Sequence, residues 1–500
     1  MSDPAGLFAL DAAIDSLAGG RRASPFASPV PPNGEMGDLV AVARRLAALP
    51  EQAWDQAAPL FQPPPRRHLH LHRPRRPVHD HGRRRLRPVL AAAVAAAVIA
   101  ALAATGVLVS GSFGQPGPTG GTWRLAGYVD QPAWAPAASA GQPGSAPLVT
   151  CPSATTCYAD QPGAAPAGSV VEVTVDSGAS WRASPTPAGT RLVSGLSCPE
   201  GETCAVGAQD VRSAGPGGPA AAVLFTGDGG EVWSLRPVPP AMTTVADVAC
   251  TSASDCAVLG YGTPTTAAPD GPPVALHTAD AGTTWSVAPI PGPFVVQARD
   301  GASCAGTVCV AAGLASLGGP TSAETGAVRY SPDGGATWLP ASIPPGVATV
   351  RAVSCTDPTH CLALANGTSG GGAFPFGPAE VLKSDDGGRN WASLGPPLPG
   401  AVTLGSISCR DAGHCWAAGI GSSSAQPGSG SGVIAATADG GATWSPVTLP
   451  TAPAPGSGLE SLDVQAVSSV DCPAVGSCLA LGLRAATGGP EPAVALRSPG

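Results

Sequence analysis

Residues 245–290 read VADVACTSASDCAVLGYGTPTTAAPDGPPVALHTADAGTTWSVAPI. Cys250 and Cys256 enclose five residues between two apolar runs, and TADAGTTW follows from Thr278 to Trp285. Short Val- and Ala-rich runs bounded by Gly, Pro, Ser and Asp mark strands joined by turns. Four strands are predicted, over residues 245–250, 256–262, 274–278 and 284–290. Such a unit of about fifty residues is the size of one propeller blade.

The unit recurs. TVDSGASW (174–181), TGDGGEVW (226–233), TADAGTTW (278–285), SPDGGATW (331–338), SDDGGRNW (384–391) and TADGGATW (437–444) share one pattern. Their tryptophans, Trp181, Trp233, Trp285, Trp338, Trp391 and Trp444, step by 52, 52, 53, 53 and 53 residues. A fixed period of this length marks a repeat architecture. The chemistry of the motif is local. Asp176, Asp228, Asp280, Asp333, Asp386 and Asp439 accept N–H groups of their own turn, and Gly supplies a positive φ. The Trp is a large apolar plate for a neighbouring unit.

Seven cysteine pairs run in phase with the tryptophans: Cys151/Cys157, Cys198/Cys204, Cys250/Cys256, Cys304/Cys309, Cys355/Cys361, Cys409/Cys415 and Cys472/Cys478. Each is expected to bridge the base of a hairpin, with the second strand starting at the second cysteine, as in the example above. All 14 cysteines lie after residue 150, and an even number on one side of the chain reads as disulfides in an oxidising compartment. Zinc is the rival, but the pairs are not CxxC and only His360 and His414 lie beside them. Closing a seven-residue loop is worth roughly 2.4 kcal/mol in the chain-entropy model.

Seven pairs against six complete turns give the blade count. The chain stops at AVALRSPG, a strand entering a turn at Ser498, while GGTWRLAGYV places Trp123 at the exit of one. Joined, they make a seventh blade, and the closed ring leaves no exposed sheet edge. The predicted fold is an all-β, seven-bladed propeller over residues 121–500, closed by its N- and C-terminal strands.

The motifs resemble the Asp-box (BNR) repeats of bacterial sialidases, of sortilin-type receptors and of the photosystem II stability and assembly factor family. The resemblance covers about 380 residues and speaks for fold rather than activity, because a propeller hosts many functions. For a sialidase it implies an arginine triad, a Tyr paired with Glu, and an Asp acid/base. The exported part has Tyr128, Tyr158, Tyr261 and Tyr330, no Tyr/Glu pair in view, and no Arg-Ile-Pro motif. Arg191, Arg299 and Arg351 fall in or just before the first strands of blades two, four and five. Three convergent guanidiniums hold an anion, whereas separate surface or channel arginines are the plainer reading.

Upstream, PVLAAAVAAAVIAALAATGVLV (88–109) is uncharged and as long as a bilayer-spanning helix. Arg83, Arg84, Arg85 and Arg87 precede it, so the N-terminus is expected in the cytoplasm and the propeller outside. An 87-residue leader is too long for a cleaved signal peptide. Charge agrees: residues 1–87 balance at +5 and residues 111–500 at −13. An acidic exported domain excludes nucleic acid as the expected partner.

Residues 1–65 form a predicted cytoplasmic segment with two short helices. Leu7, Leu10, Ile14 and Leu17 form one stripe, and Leu39, Val42, Leu46 and Leu49 after Asp38 form the other. The layout resembles the cytoplasmic ends of bacterial anti-sigma proteins, without their zinc-type cysteines. The linker 66–87 carries His68, His70, His72, His79 and His81. It reads either as a transition-metal ligand set or as a basic segment at lipid headgroups, the latter being the plainer. Residues 110–120 are a second linker.

In a four-stranded blade the second and third strands are joined at the end opposite the disulfides. These connections differ between blades, as in TPTTAAPDGPP (263–273) and GTSGGGAFPFGPAE (367–380). Variable loops on a rigid scaffold suit binding. Phe374 and Phe376 are candidate anchors, and Asn366-Gly367-Thr368 matches a glycosylation sequon. The expected function is a membrane-anchored, extracytoplasmic binding or scaffold propeller for a protein or glycan, with no catalytic residue, metal or cofactor. The alternatives are a sialidase-like glycan hydrolase and a signalling receptor coupled to the cytoplasmic helices.

Overall fold

Residues 245–290 form four antiparallel strands in the computed structural model, Thr244–Cys250, Cys256–Tyr261, Pro273–Thr278 and Ser286–Pro289, with every end within two residues of expectation. The second and third strands are largely buried on both faces, which is why they read as continuous apolar runs. Alternate side chains go opposite ways. Ala257, Leu259 and Ala275 pack toward the following blade, Val258 and Leu276 toward the preceding one. The structure describes residues 122–129, 147–160 and 170–499, apart from 216–217, 267, 269–270, 298–299, 316–324, 368–376, 399–401, 423–429, 452–461, 463 and 485–492.

Seven such sheets are present, and within each the neighbouring strands pair antiparallel. We number the blades one to seven in the order of their cysteine pairs. Seven clusters of buried apolar side chains each fill the space between neighbouring blades, so the core is a ring of interfaces. Blade seven is closed as expected: Arg124–Val129 pairs with Ala493–Arg497, with Arg124 opposite Arg497. Trp123 is 2% exposed in the cluster between blades six and seven, and its N–H donates to the Thr448 carbonyl at 2.9 Å.

One blade departs from the four-strand expectation. The innermost strand of blade four is split into Val295–Val296 and Ala302–Ala305, both paired with Val308–Ala315. Asp300 stands in the break at φ 58°, a left-handed conformation that a continuous strand does not admit.

All seven expected disulfides are formed: Cys151–Cys157, Cys198–Cys204, Cys250–Cys256, Cys304–Cys309, Cys355–Cys361, Cys409–Cys415 and Cys472–Cys478, with Cα–Cα distances of 3.9–4.1 Å. Their place in the hairpin needs a correction in three blades. Cys157, Cys256, Cys361 and Cys415 start their strands as expected. Cys204, Cys309 and Cys478 instead lie one residue inside the strands Thr203–Gly215, Val308–Ala315 and Ser477–Arg484. The cause is a tighter turn. Backbone pairing continues past these bridges, at Glu200/Thr203, Ala305/Val308 and Ala474/Ser477, and leaves only two residues to reverse the chain. Gly306 and Gly476 make that reversal in blades four and seven at φ 58° and 75°.

A second device joins the blades. The residue before the first cysteine reaches the next blade: Ser197 Oγ accepts the Cys250 N–H, Ser303 that of Cys355, Ser354 that of Cys409 and Ser408 that of Cys472, all at 3.0 Å. At the closing interface Asp471 takes this place and accepts the Cys151 N–H at 2.6 Å. Among the described residues no helix is long and apolar enough to cross a membrane. The expected span 88–109, the two cytoplasmic helices and the histidine cluster lie outside the described residues.

Candidate functional site

The two ends of the ring are built for different purposes, and the disulfide end is the uniform one. In blade three, the Thr278 hydroxyl donates to Asp280 Oδ1 at 2.9 Å and accepts the Gly282 N–H at 2.9 Å. Asp280 also accepts the N–H and hydroxyl of Thr284, at 2.8 and 2.6 Å. Gly282 sits at φ +75°, and a Cβ there would stand 2.8 Å from Phe225. The Ser or Thr hydroxyl and the N–H four residues on bond Asp176, Asp228, Asp333, Asp386 and Asp439 in the same way. The second side-chain bond comes from a hydroxyl at Asp176, Asp333 and Asp439 and from the Asn390 amide at Asp386, while Val232, the residue at that place beside Asp228, has none to give.

Each turn is then docked on the disulfide hairpin of its own blade. The N–H after the aspartate donates to the carbonyl two residues before the second cysteine: Ser177 to Thr155, Gly229 to Glu202, Ala281 to Ser254, Gly334 to Thr307, Gly387 to Thr359 and Gly440 to Gly413, at 2.7–3.0 Å. Trp233, Trp338 and Trp391 are buried, while Trp181, Trp285 and Trp444 are half-buried. The aspartates and tryptophans at this end are thus engaged in holding turns.

His360 and His414, the two histidines beside cysteine pairs, bond to Asp357 and Asp411 three residues earlier, at 2.8 and 2.9 Å. The Thr359 hydroxyl, the Thr359 N–H and His360 hold the Asp357 carboxyl below its ordinary range. No group of three metal-ligating side chains exists among the described residues.

At the opposite end, blade five shows how a variable connection is anchored. Arg351 Nε donates to Asn366 Oδ1 at 2.6 Å, and Asn366 Nδ2 donates to the Gly377 carbonyl at 3.1 Å. Gly377 N–H meets the Gly367 carbonyl at 2.9 Å, and Gly367 N–H the Pro378 carbonyl at 3.2 Å. These bonds pin both ends of the segment 368–376. Phe374 and Phe376 belong to that segment and lie outside the described residues. Asn366 is 1% exposed with its amide engaged on both sides, so the folded protein does not offer it for glycosylation. Burial lowers the pKa of Arg351, whose half-buried side chain braces this neck.

The arginines are not gathered by what is described. Arg191 is exposed and bonds Gln209 within blade two, Arg351 bonds within blade five, and Arg299 lies outside the described residues. Near the middle of the ring a cavity of about 140 Å³ is lined in part by Asp247, on the innermost strand of blade three, and by Asp300, in the break of the innermost strand of blade four. The serine before the first cysteine of a blade is a residue the sequence reading passed over. Its signal was the repeated Ser-Cys dipeptide at 197–198, 303–304, 354–355 and 408–409.

No family model and no curated protein matches the chain. Similar solved structures include YCF48 bound to D1 peptide, at 16% identity and TM-score 0.45, over 76% of this chain and 95% of that one. A polysaccharide lyase, ulvan lyase, is similar at 11% identity and TM-score 0.44, over 69% and 90%. A Trypanosoma rangeli sialidase mutant with trans-sialidase activity is similar at 13% identity and TM-score 0.35, over 56% and 52%. At these identities the likeness concerns fold and carries nothing about ligand or reaction.

Proposed function

We propose that this chain is an Asp-box propeller held on the outer face of a membrane by residues 88–109, acting as a non-catalytic binding or scaffold module. The observation that carries the reading is the division between the two ends of the ring. At the disulfide end the repeated aspartates each hold their own turn. At the other end the connections between second and third strands differ in sequence, and the blade-five neck is rigidly bonded. A stiff scaffold with sequence-variable loops is suited to recognition. Phe374 and Phe376 are the proposed anchors, for a protein or glycan partner.

The test uses the full chain in detergent micelles, screened against a glycan array and purified envelope proteins. The Phe374→Ala/Phe376→Ala variant is expected to lose about tenfold or more in affinity for the bound partner, as hot-spot aromatics do, with unchanged thermal unfolding. Turnover of a fluorogenic sialoside or cleavage of a uronate polysaccharide by the unmodified chain would show an enzyme instead. An epitope placed before residue 66 should be reached only after cell permeabilisation, and one at residue 500 in intact cells.

A further inference from the structure

The seven disulfide hairpins are not equivalent, and the one in blade four stands apart in four ways. Cys304 and Cys309 enclose four residues where the other pairs enclose five. Cys304 also lies on the four-residue strand Ala302–Ala305, cut off from the rest of its innermost strand by the break at Asp300. In blades two, three, five, six and seven the first cysteine belongs to a single strand of 7–11 residues. Blade one has only the short strand Leu148–Thr150 before its first cysteine, but there Asp471 holds the Cys151 N–H and Cys151 is buried.

The third difference is in the ties between blades. Six interfaces place a side-chain oxygen just before a first cysteine, from Thr150, Ser197, Ser303, Ser354, Ser408 or Asp471. At the interface of blades three and four that residue is Ala249, which has no hydroxyl to take the Cys304 N–H. The fourth difference concerns the sulfur. Cys304 Sγ lies 3.7 Å from the Ala249 carbonyl oxygen, and among the described residues no other cysteine sulfur has such an acceptor.

A bridged sulfur has no proton to give. A free thiol does, and the Ala249 carbonyl is in place to accept it. Stabilising the dithiol form makes a disulfide easier to reduce. Access favours the same pair. Cys304 is half-buried while Cys309 is 1% exposed, so an incoming reagent meets Cys304 first. Cys355 and Cys409 are half-buried too, but Ser303 and Ser354 hold their amides.

We propose that Cys304–Cys309 is a thiol–disulfide exchange site for an external dithiol, in a ring whose six other bridges are structural. A thiolate of the dithiol attacks Cys304 Sγ, the S–S bond breaks, and Cys309 Sγ leaves with the electron pair and takes up a proton. The second thiol of the dithiol loses its proton and attacks its own partner sulfur in the mixed disulfide. Cys304 Sγ then leaves and is protonated in turn. The dithiol ends as a disulfide, oxidised by two electrons, and the protein pair as two thiols. Thr307, inside the bridged loop, accepts the Gly334 N–H of the blade-four turn at 2.7 Å, and Ser303 beside the bridge holds the Cys355 N–H of blade five. Reduction therefore loosens blade four from its own turn and from blade five, whatever the loop face binds.

The probe is dithiothreitol, applied in graded amounts to the oxidised full chain in detergent micelles. Freed thiols are trapped with iodoacetamide and located by peptide mass spectrometry. Cys304 and Cys309 are expected to be labelled at least about tenfold faster than any other pair, with the strand signal in circular dichroism retained. Ala249→Ser supplies the missing hydroxyl and should slow that labelling about fivefold, the worth of one hydrogen bond. Serine already stands at this place at four other interfaces, so the variant is expected to fold, which calorimetry checks, and the order of labelling in the parent chain is a test that needs no variant. Another pair opening first, all seven opening together, loss of the strand signal in step with labelling, or an unchanged rate in the folded variant would each overturn the assignment.

Discussion

Six aspartates on six turns repeat one arrangement, and its energetics are those of a hydrogen-bonded carboxylate. The Thr284 hydroxyl and N–H hold Asp280 at about 2, below its ordinary 3.8. Asp176 and Asp228 are lowered too, chiefly by Ser180 and by the Val232 N–H. For Asp333, Asp386 and Asp439 burial opposes the shift, and the bonds from Thr337, Asn390 and Thr443 outweigh it. A carboxyl more acidic in the folded than in the unfolded chain stabilises the fold above the unfolded value. That contribution is lost as pH falls through the folded value. Thermal stability is therefore expected to drop between about pH 4 and 2. Asp280→Asn should lower the Tm by about 2 °C at pH 7, with the gap to the parent shrinking by half or more at pH 2. A gap of equal size at both pH values would show that the charge does not matter. Asp471 runs the other way: burial, opposed by bonds from Ser408 and the Cys151 and Cys472 N–H groups, pushes its pKa up.

At the scale of the element, the hairpin and its bridge are one unit. Cys250 and Cys256 are directly opposed at the end of the first two strands of blade three. Replacing both by serine is expected to cost about 2 kcal/mol, measured by urea unfolding, without loss of the strand signal in circular dichroism. A cost near zero would mean that the hairpin is already fixed by its neighbours. Hairpins and bridges were legible in the sequence because their information is local: cysteine spacing, a Gly-rich turn and an apolar run all lie within fifty residues. How far pairing runs past Cys204 and Cys309 was less so, since cysteine spacing sets the bridge and not the turn beyond it. The split in blade four was not legible, because Asp300 gives no sign in sequence of its left-handed backbone. The role of Asn366 was also hidden. A sequon reads as surface, whereas its burial depends on Arg351 fifteen positions away on the adjacent strand. The loop segment 368–376 stays a matter of sequence alone.

For the whole molecule, the decisive contact joins residues almost four hundred positions apart. Arg124–Val129 is the first strand of the ring in the chain and completes the blade begun by the last ones. Trp123 locks that strand against blade six. Trp123→Ala is expected to cost about 3–5 kcal/mol, the range for a large aromatic removed from a core. It should also speed proteolysis near residue 130 more than elsewhere. Uniform cleavage across all blades would argue against a seam that opens first. The closure was legible from the phase of Trp123 and Ser498 against the six complete repeats. The serine ladder between blades needed three dimensions.

The bridges carry one consequence for how the protein is made. Each spans five or six positions, and no cysteine lies between partners. As the polypeptide is fed out from its N-terminus, the first thiol of each pair finds its correct mate in the next one to arrive. A full native set of cross-links is reached in order of emergence without a single exchange. Maturation of this ring calls for an oxidant, not for a catalyst that reshuffles mistakes.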